Sequence, residues 1–117
     1  MGQGNNKCAC RGSNLDKLIQ PVILLILREG NDMGYGIIKK MEQYAMFQNG
    51  TPDATGVYRQ LRLMEEKGNI AVVEQEEAPQ GVKKLYCITE AGKQCLENWK
   101  STLEAYEAAV REIREKI

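Results

Sequence analysis

The chain has 117 residues and 13.2 kDa, with 16 Lys/Arg against 16 Asp/Glu and a formal net charge of zero. That length, with 43 % apolar and 27 % charged residues, bounds the protein to one globular domain with one modest core. The chain contains no histidine, which excludes Ser–His and Cys–His nucleophiles and His-containing zinc sites. It also has no Gly-rich phosphate loop, so neither an enzyme nor a cofactor is expected.

Residues 1–13 (MGQGNNKCACRGS) read as a mobile tail of polar and small residues, without the apolar run of a signal peptide. Met1-Gly2 fails the myristoylation pattern because position 6 is Asn6. Four scattered cysteines make no disulfide framework, which favours a cytoplasmic location. A first helix is expected from Asn14, capped by Ser13 or Asn14, with Asp16 in its first turn. It runs through Leu15, Leu18 and Ile19 into Val22-Ile23-Leu24-Leu25-Ile26-Leu27 and ends at Arg28-Glu29-Gly30. That last stretch is apolar all round, as a helix buried on most sides would be, and it is far too short to span a bilayer. Pro21 should kink the helix or mark a restart.

A second helix is expected over Met33 to Met46, capped by Asn31 or Asp32, with Ile37, Ile38, Met41 and Ala45 at helical spacing. Gly34 and Gly36 in its first turn would let another backbone come close. Asn49-Gly50-Thr51-Pro52 is a turn. Asp53 caps a third helix whose inner face is Val57, Leu61 and Met64, and Gly68 stops it. Ile70 to Gln75 and Val82 to Ile88 form a hairpin joined by Glu76-Glu77-Ala78-Pro79-Gln80-Gly81. Thr89 caps a long final helix with Glu90 in its first turn. Its apolar positions, Leu96, Trp99, Leu103, Tyr106, Val110, Ile113 and Ile117, are spaced 3, 4, 3, 4, 3, 4, an unbroken heptad seam.

Taken together, these elements predict a mainly α fold with a β-hairpin wing: a winged helix-turn-helix followed by a long C-terminal dimerisation helix. The expected units are a tail at 1–13, a DNA-binding domain at 14–89 and a dimerisation helix at 90–117. With Val57, Leu61 and Met64 turned inward, Thr55, Arg59 and Arg62 point outward, and Glu65 and Glu66 sit at the far end. Arginine contacts phosphate or reads guanine bidentately. A three-helix core with a hairpin and a solvated helix face gives the same order without DNA binding. Lys83-Lys84 suits phosphate contact, while two lysines on an edge strand equally guard against edge pairing. The charges favour the DNA reading locally: residues 1–68 carry nine basic and seven acidic groups, and Ala78 to Thr89 holds two lysines and no acid.

The heptad seam, with Leu96, Leu103, Tyr106, Val110 and Ile113 as its interface, points to a homodimer on a palindromic operator; the alternative is packing on its own domain. Cys87 and Cys95 read as buried small apolar groups. Cys8 and Cys10 form a CxC that supplies only two of the ligands a tetrahedral metal site needs, although two tails of a dimer could supply four. A metal- or redox-responsive regulator therefore stays open beside the incidental pair. A dimeric protein–protein interaction module without DNA binding is the other alternative, in keeping with zero net charge.

ILLILREG–MGYGIIKKME, TGVYRQLRLMEEKGNI and GVKKLYCITEAGKQCL resemble the PadR family of bacterial transcriptional regulators over about residues 15–96. The resemblance implies a dimeric winged helix protein, usually a repressor, that dimerises through its first and last helices. By position it places Tyr35, Thr55, Tyr58, Arg59, Arg62, Lys83 and Lys84 at DNA. Thr55-Gly56-Val57 departs from the Gly-Thr-Leu or Ala-Thr-Leu of many members, and the CxC tail lies outside the pattern. The single helix after the wing is similar to the short subfamily that includes the lactococcal multidrug-resistance regulator. In that regulator a tryptophan at the place of Trp99 binds flat aromatic drugs. The likeness implies a planar aromatic effector in a slot lined by Trp99, Leu18 and Val22.

Overall fold

The computed structural model describes residues 18–47 and 53–117. In chain order the elements are α1 (Ile19–Glu29), β1 (Asp32–Met33), α2 (Gly34–Met41), a 3-10 turn (Ala45–Phe47), α3 (Ala54–Lys67), β2 (Ile70–Ala78), β3 (Gly81–Ile88) and α4 (Glu90–Lys116). The fold is a winged helix-turn-helix, mostly helical, with one small antiparallel sheet of order β1-β3-β2. The expected tail, the CxC of Cys8 and Cys10, the Ser13 and Asn14 caps and the 49–52 turn lie outside the described residues.

The core is built by α1, whose Val22, Ile23, Leu24, Ile26 and Leu27 are all buried. Apolar character on every side lets this one helix pack on α2, α3, α4 and β3 at once. Pro21 occupies the first turn of α1, where an N–H would have no intrahelical partner, so the helix tolerates it there. Val57, Leu61 and Met64 of α3 and Ile37 and Met41 of α2 pack into the core, as their spacing predicted, and Phe47, Ile70 and Tyr86 join them.

The second helix is shorter than expected. It runs from Gly34 to Met41, and Ala45 is exposed beyond its end. Asp32 and Met33 are drawn out as a strand that pairs with Tyr86 and Leu85 of β3. Asp32 therefore does not cap α2: Met33 occupies that position, and the Asp32 carboxylate accepts from the Met33 N–H at 2.8 Å and pairs with Lys40 at 2.8 Å. A strand of two residues is too short to leave a periodicity in the sequence. Gly34 and Gly36 do permit close approach, but of side chains and not of another backbone: the Tyr58 ring lies over Gly34 and the Asp32 carboxylate over Gly36.

Helix α3 ends as its sequence demands. Asp53 Oδ2 accepts from the Gly56 N–H at 3.3 Å, and Gly68 adopts φ 86°. The Gly68 N–H bonds to the Glu65 carbonyl and the Asn69 N–H to the Met64 carbonyl, each at 3.0 Å, a Schellman closure. The hairpin is longer than expected. β2 extends to Ala78 and β3 begins at Gly81, so Glu76 and Glu77 are paired residues and only Pro79-Gln80 turn the chain. A bulge at Val73 shifts the register between Val72 and Glu74.

Thr89 caps α4 by accepting from the Gly92 N–H at 3.0 Å. The heptad seam divides along this helix. Leu96 and Trp99 pack against the core, whereas Leu103, Tyr106, Val110, Ile113 and Ile117 are exposed in the single chain. Cys87 and Cys95 are free and half-buried, less enclosed than expected.

Candidate nucleic-acid interface

Three separate segments meet in a cleft of about 260 Å³ lined by Met33, Gly34, Tyr35, Tyr58, Arg62, Glu65, Val82, Lys83, Lys84 and Tyr86. Tyr35 comes from the start of α2, Tyr58 and Arg62 from consecutive turns of α3, and Lys83 and Lys84 from the wing. Five of the seven residues expected at DNA therefore share one concavity. Thr55 and Arg59 are exposed on α3 but do not line it.

Helical spacing explains this division. Tyr58, Arg62 and Glu65 follow one another at four- and three-residue steps along the side of α3 that faces the wing. Thr55, Arg59 and Arg62 follow at the same steps along the outer side. Arg62 belongs to both rows, so it alone among these residues reaches from the open face of α3 into the cleft.

The two lysines both border the cleft but stand on opposite faces of the wing. Alternation along β3 puts Lys84 on the face of Val82 and Tyr86, and Lys83 on the face of Leu85. Lys84 Nζ lies 3.7 Å from Glu65 Oε1, with both side chains about a third exposed. Lys83 is opposite Glu76 in the ladder and lines a second hollow with Met33, Glu74, Gln75, Glu76 and Leu85. The wing thus carries Glu76 opposite Lys83, with Glu74 and Glu77 on the same strand opposite Leu85 and Val82. Reading β3 alone hid these acids, because they enter through the register with β2. Glu65 likewise stands inside the cleft and not merely at the far end of α3.

Tyr86, which sequence reasoning did not single out, forms the floor of the cleft and is 6 % exposed. Burial pushes its phenol above the ordinary value, with the Glu65 carboxylate and Tyr58 adding to the shift. Its place inside the alternating β3 pattern is the one signal that could have marked it. Around Trp99 there is a shallower groove of about 120 Å³ lined by Cys95, Asn98, Trp99 and Thr102, all on one face of α4. Leu18 is half-buried, and Val22 is sealed in the core with only 5 % of its surface exposed. Neither lines that groove in the single chain.

Among the described residues, no three His, Cys, Asp or Glu side chains gather as a metal site. Nor is any described helix long and apolar enough to cross a membrane.

The family model described as "Transcriptional regulator PadR-like family" matches residues 23–98. No curated protein matches the chain. Solved structures share its fold. A protein of Thermoplasma acidophilum superposes with a TM-score of 0.72 at 24 % identity, over 88 % of this chain and 96 % of the other. A PadR family transcriptional regulator from Eggerthella lenta superposes at 0.70 and 17 % identity, over 100 % of both chains. Bacillus subtilis PadR, crystallised in complex with operator DNA, superposes at 0.59 and 23 % identity, over 80 % of this chain and 58 % of that one.

Proposed function

The chain belongs to the PadR-like family of transcriptional regulators, which are not enzymes, and from that premise we propose that it is a homodimeric, sequence-specific DNA-binding repressor. Its DNA-reading unit is residues 14–89 and its dimerisation helix 90–117. The observation that carries this reading is the cleft, where Tyr35, Tyr58, Arg62, Lys83 and Lys84 converge from three segments. α3 enters the major groove, with Arg59 and Arg62 at base edges or phosphates and Thr55 beside them. Tyr35, Tyr58, Lys83 and Lys84 hold the flanking phosphates. The likeness in fold to Bacillus subtilis PadR, whose complex with operator DNA is known, supports double-stranded DNA as the partner.

Dimerisation is supported by the apolar stripe of Leu103, Tyr106, Val110 and Ile113, which this chain alone leaves in water. Leu96 and Trp99 extend it toward the core. A two-fold axis along α4 would present two recognition helices to a palindromic operator. We further propose that a planar aromatic ligand at Trp99, with Leu18 and Val22 behind it, releases the DNA.

The acids on the wing favour a second reading, a dimeric protein-interaction module without DNA binding. Glu74, Glu76 and Glu77 outnumber Lys83 and Lys84 on the hairpin, and acidic surface repels phosphate. Binding-site selection with the purified protein, followed by titration at several salt concentrations, separates the two. A DNA reader enriches a palindrome, and its affinity falls steeply with salt. Failure to enrich any sequence, with weak binding indifferent to salt, sinks the first reading.

A further inference from the structure

The carbonyl of Gly68, just past the C-terminus of the recognition helix, accepts a hydrogen bond from Thr89 Oγ1 at 2.6 Å. Thr89 Oγ1 itself caps α4 by accepting from the Gly92 N–H at 3.0 Å. One hydroxyl therefore ties the end of α3 to the start of α4. Three neighbouring contacts reinforce it. The Thr89 N–H donates to the Asn69 carbonyl at 3.2 Å. Gly92 packs so closely on that carbonyl that a Cβ would collide with it. One turn further along α4, Cys95 Sγ accepts from Asn69 Nδ2 at 3.7 Å.

We propose that Thr89 is a positioning residue for DNA reading: through Gly68 it fixes the angle between α3 and α4. α4 otherwise packs on α1 and β3, so this junction is the short route by which a tilt of α4 reaches the recognition helix. In a dimer joined through α4, that angle sets the separation of the two recognition helices and hence the half-site spacing the protein accepts. The spacing consequence rests on the dimeric DNA-binding reading above; the angle does not.

The cap and the clamp can be separated chemically. Aspartate is a good N-cap acceptor, but an ionised carboxylate cannot donate to the Gly68 carbonyl. Thr89→Asp therefore keeps the α4 cap and loses the clamp, whereas Thr89→Ser keeps both. Residual dipolar couplings on the full-length protein report the relative orientation of α3 and α4 without DNA. The expected result is a changed α3–α4 orientation in Thr89→Asp, a wild-type orientation in Thr89→Ser, and unchanged helical circular dichroism in both. In parallel, operators whose half-site spacing is lengthened or shortened by one base pair should be discriminated by wild type and Thr89→Ser. Thr89→Asp should bind them as well as the optimum while keeping its half-site sequence preference. An unchanged α3–α4 orientation in Thr89→Asp overturns the proposal whatever the DNA result. A changed orientation in a protein that binds no DNA keeps the clamp and removes the DNA-binding reading instead.

Discussion

The hydroxyl end of the Tyr58 ring lies over Gly34, so that a Cβ built at position 34 would collide with Tyr58 Cε1 and come within 2.9 Å of Cζ. Sequence alone suggests that Gly34 lets another backbone approach the first turn of α2. The structure shows what the missing side chain leaves room for: a tyrosine of α3 laid against the neighbouring helix, its outer side still exposed. Gly34→Ala should push the ring away at little cost to folding. Tyr58 has room to swing, and alanine favours the helix over glycine by about 1 kcal/mol. The expected outcome is a melting temperature at or above wild type together with weaker operator binding. In a Tyr58→Ala background the same substitution should leave DNA affinity unchanged, because the ring it displaces is gone. An equal loss in both backgrounds would show that Gly34 acts without Tyr58.

Arg59 and Arg62 should differ in how they fail. Arg59 stands on the open face of α3 only, whereas Arg62 also lines the cleft. Arg59→Ala is expected to cost about 1–3 kcal/mol on the selected operator if it reads a base, with the salt slope retained. Arg62→Ala should weaken all sequences more evenly and lower the salt slope, as loss of a phosphate contact does. Titrations of both variants on specific and scrambled duplexes at several salt concentrations give the two signatures. Wild-type affinity in both would remove α3 from the interface.

Glu65 restrains two cleft residues at once. It sits 3.7 Å from Lys84 and raises the Tyr86 phenol beyond what burial alone does. The pair is part-exposed, so breaking it should change stability by only about 0–1 kcal/mol. Glu65→Gln should nonetheless tighten DNA binding, since it removes a negative charge from the cleft and frees Lys84 for phosphate. It should also lower the Tyr86 pKa, visible in the ultraviolet titration of tyrosinate. The linkage runs in one direction. A tyrosine whose pKa is raised by folding keeps its full stabilising effect below its ordinary value of 10.0 and loses it as pH rises through the folded value. Tyr86→Phe should therefore unfold less readily than wild type above pH 10, the ordinary value, while matching it near neutrality. Identical alkaline unfolding of the two proteins would detach Tyr86 from this effect.

Local rules made most of the frame legible. Asp53 and Gly68 bracket α3, Thr89 opens α4, and Val57, Leu61 and Met64 fall inside, because caps and helical periods act over a few residues. What the sequence hid is non-local. β1 exists only because β3 offers it an edge, and that capture shortens α2 at its start. That Glu76 stands opposite Lys83 depends on a register that passes through a bulge. Tyr86 and Glu65 become cleft residues only when α3 and the wing come together. The expected row of outward arginines was legible from spacing, whereas the ion pair that ties up Lys84 was not.

The exposed stripe on α4 predicts an assembly with a particular failure. Leu103 and Val110 touch water in the single chain, so a charge at either should spare the winged helix core and break the dimer. Burying an unpaired charge in an apolar seam costs several kcal/mol before the group can be accommodated. Sedimentation of Leu103→Asp and Val110→Asp should show monomers at micromolar concentration. Their near-ultraviolet signature from the core should stay native, with some loss of helix from the C-terminal end of α4. A wild-type protein that sediments as a monomer would contradict the assembly, and variants that remain dimeric would move the interface elsewhere.

Trp99 sits where the seam changes from core contact to open stripe, packed on the core on one side and lining a shallow groove with Cys95, Asn98 and Thr102 on the other. An indole is a poor fit to a tightly interdigitated two-helix seam, and its flat face is suited to stacking. In a dimer, two such grooves facing across the axis would enclose a slot that neither chain forms alone. Planar aromatic or cationic dyes should therefore quench Trp99 fluorescence saturably and lower operator affinity over the same concentration range. The competing reading is that Trp99 fills the dimer core. Trp99→Ala decides between them. Truncating a buried tryptophan costs about 3–5 kcal/mol, so a purely structural Trp99 would leave an unfolded or monomeric variant. A slot residue instead leaves a stable dimer that still binds DNA but no longer releases it when the dye is added. The Leu103→Asp monomer supplies the second arm: there Trp99 remains, yet the dye should no longer quench it, because the opposite wall of the slot is missing. Undiminished quenching in that monomer would place the dye on the single-chain groove and remove the two-fold slot as the effector site.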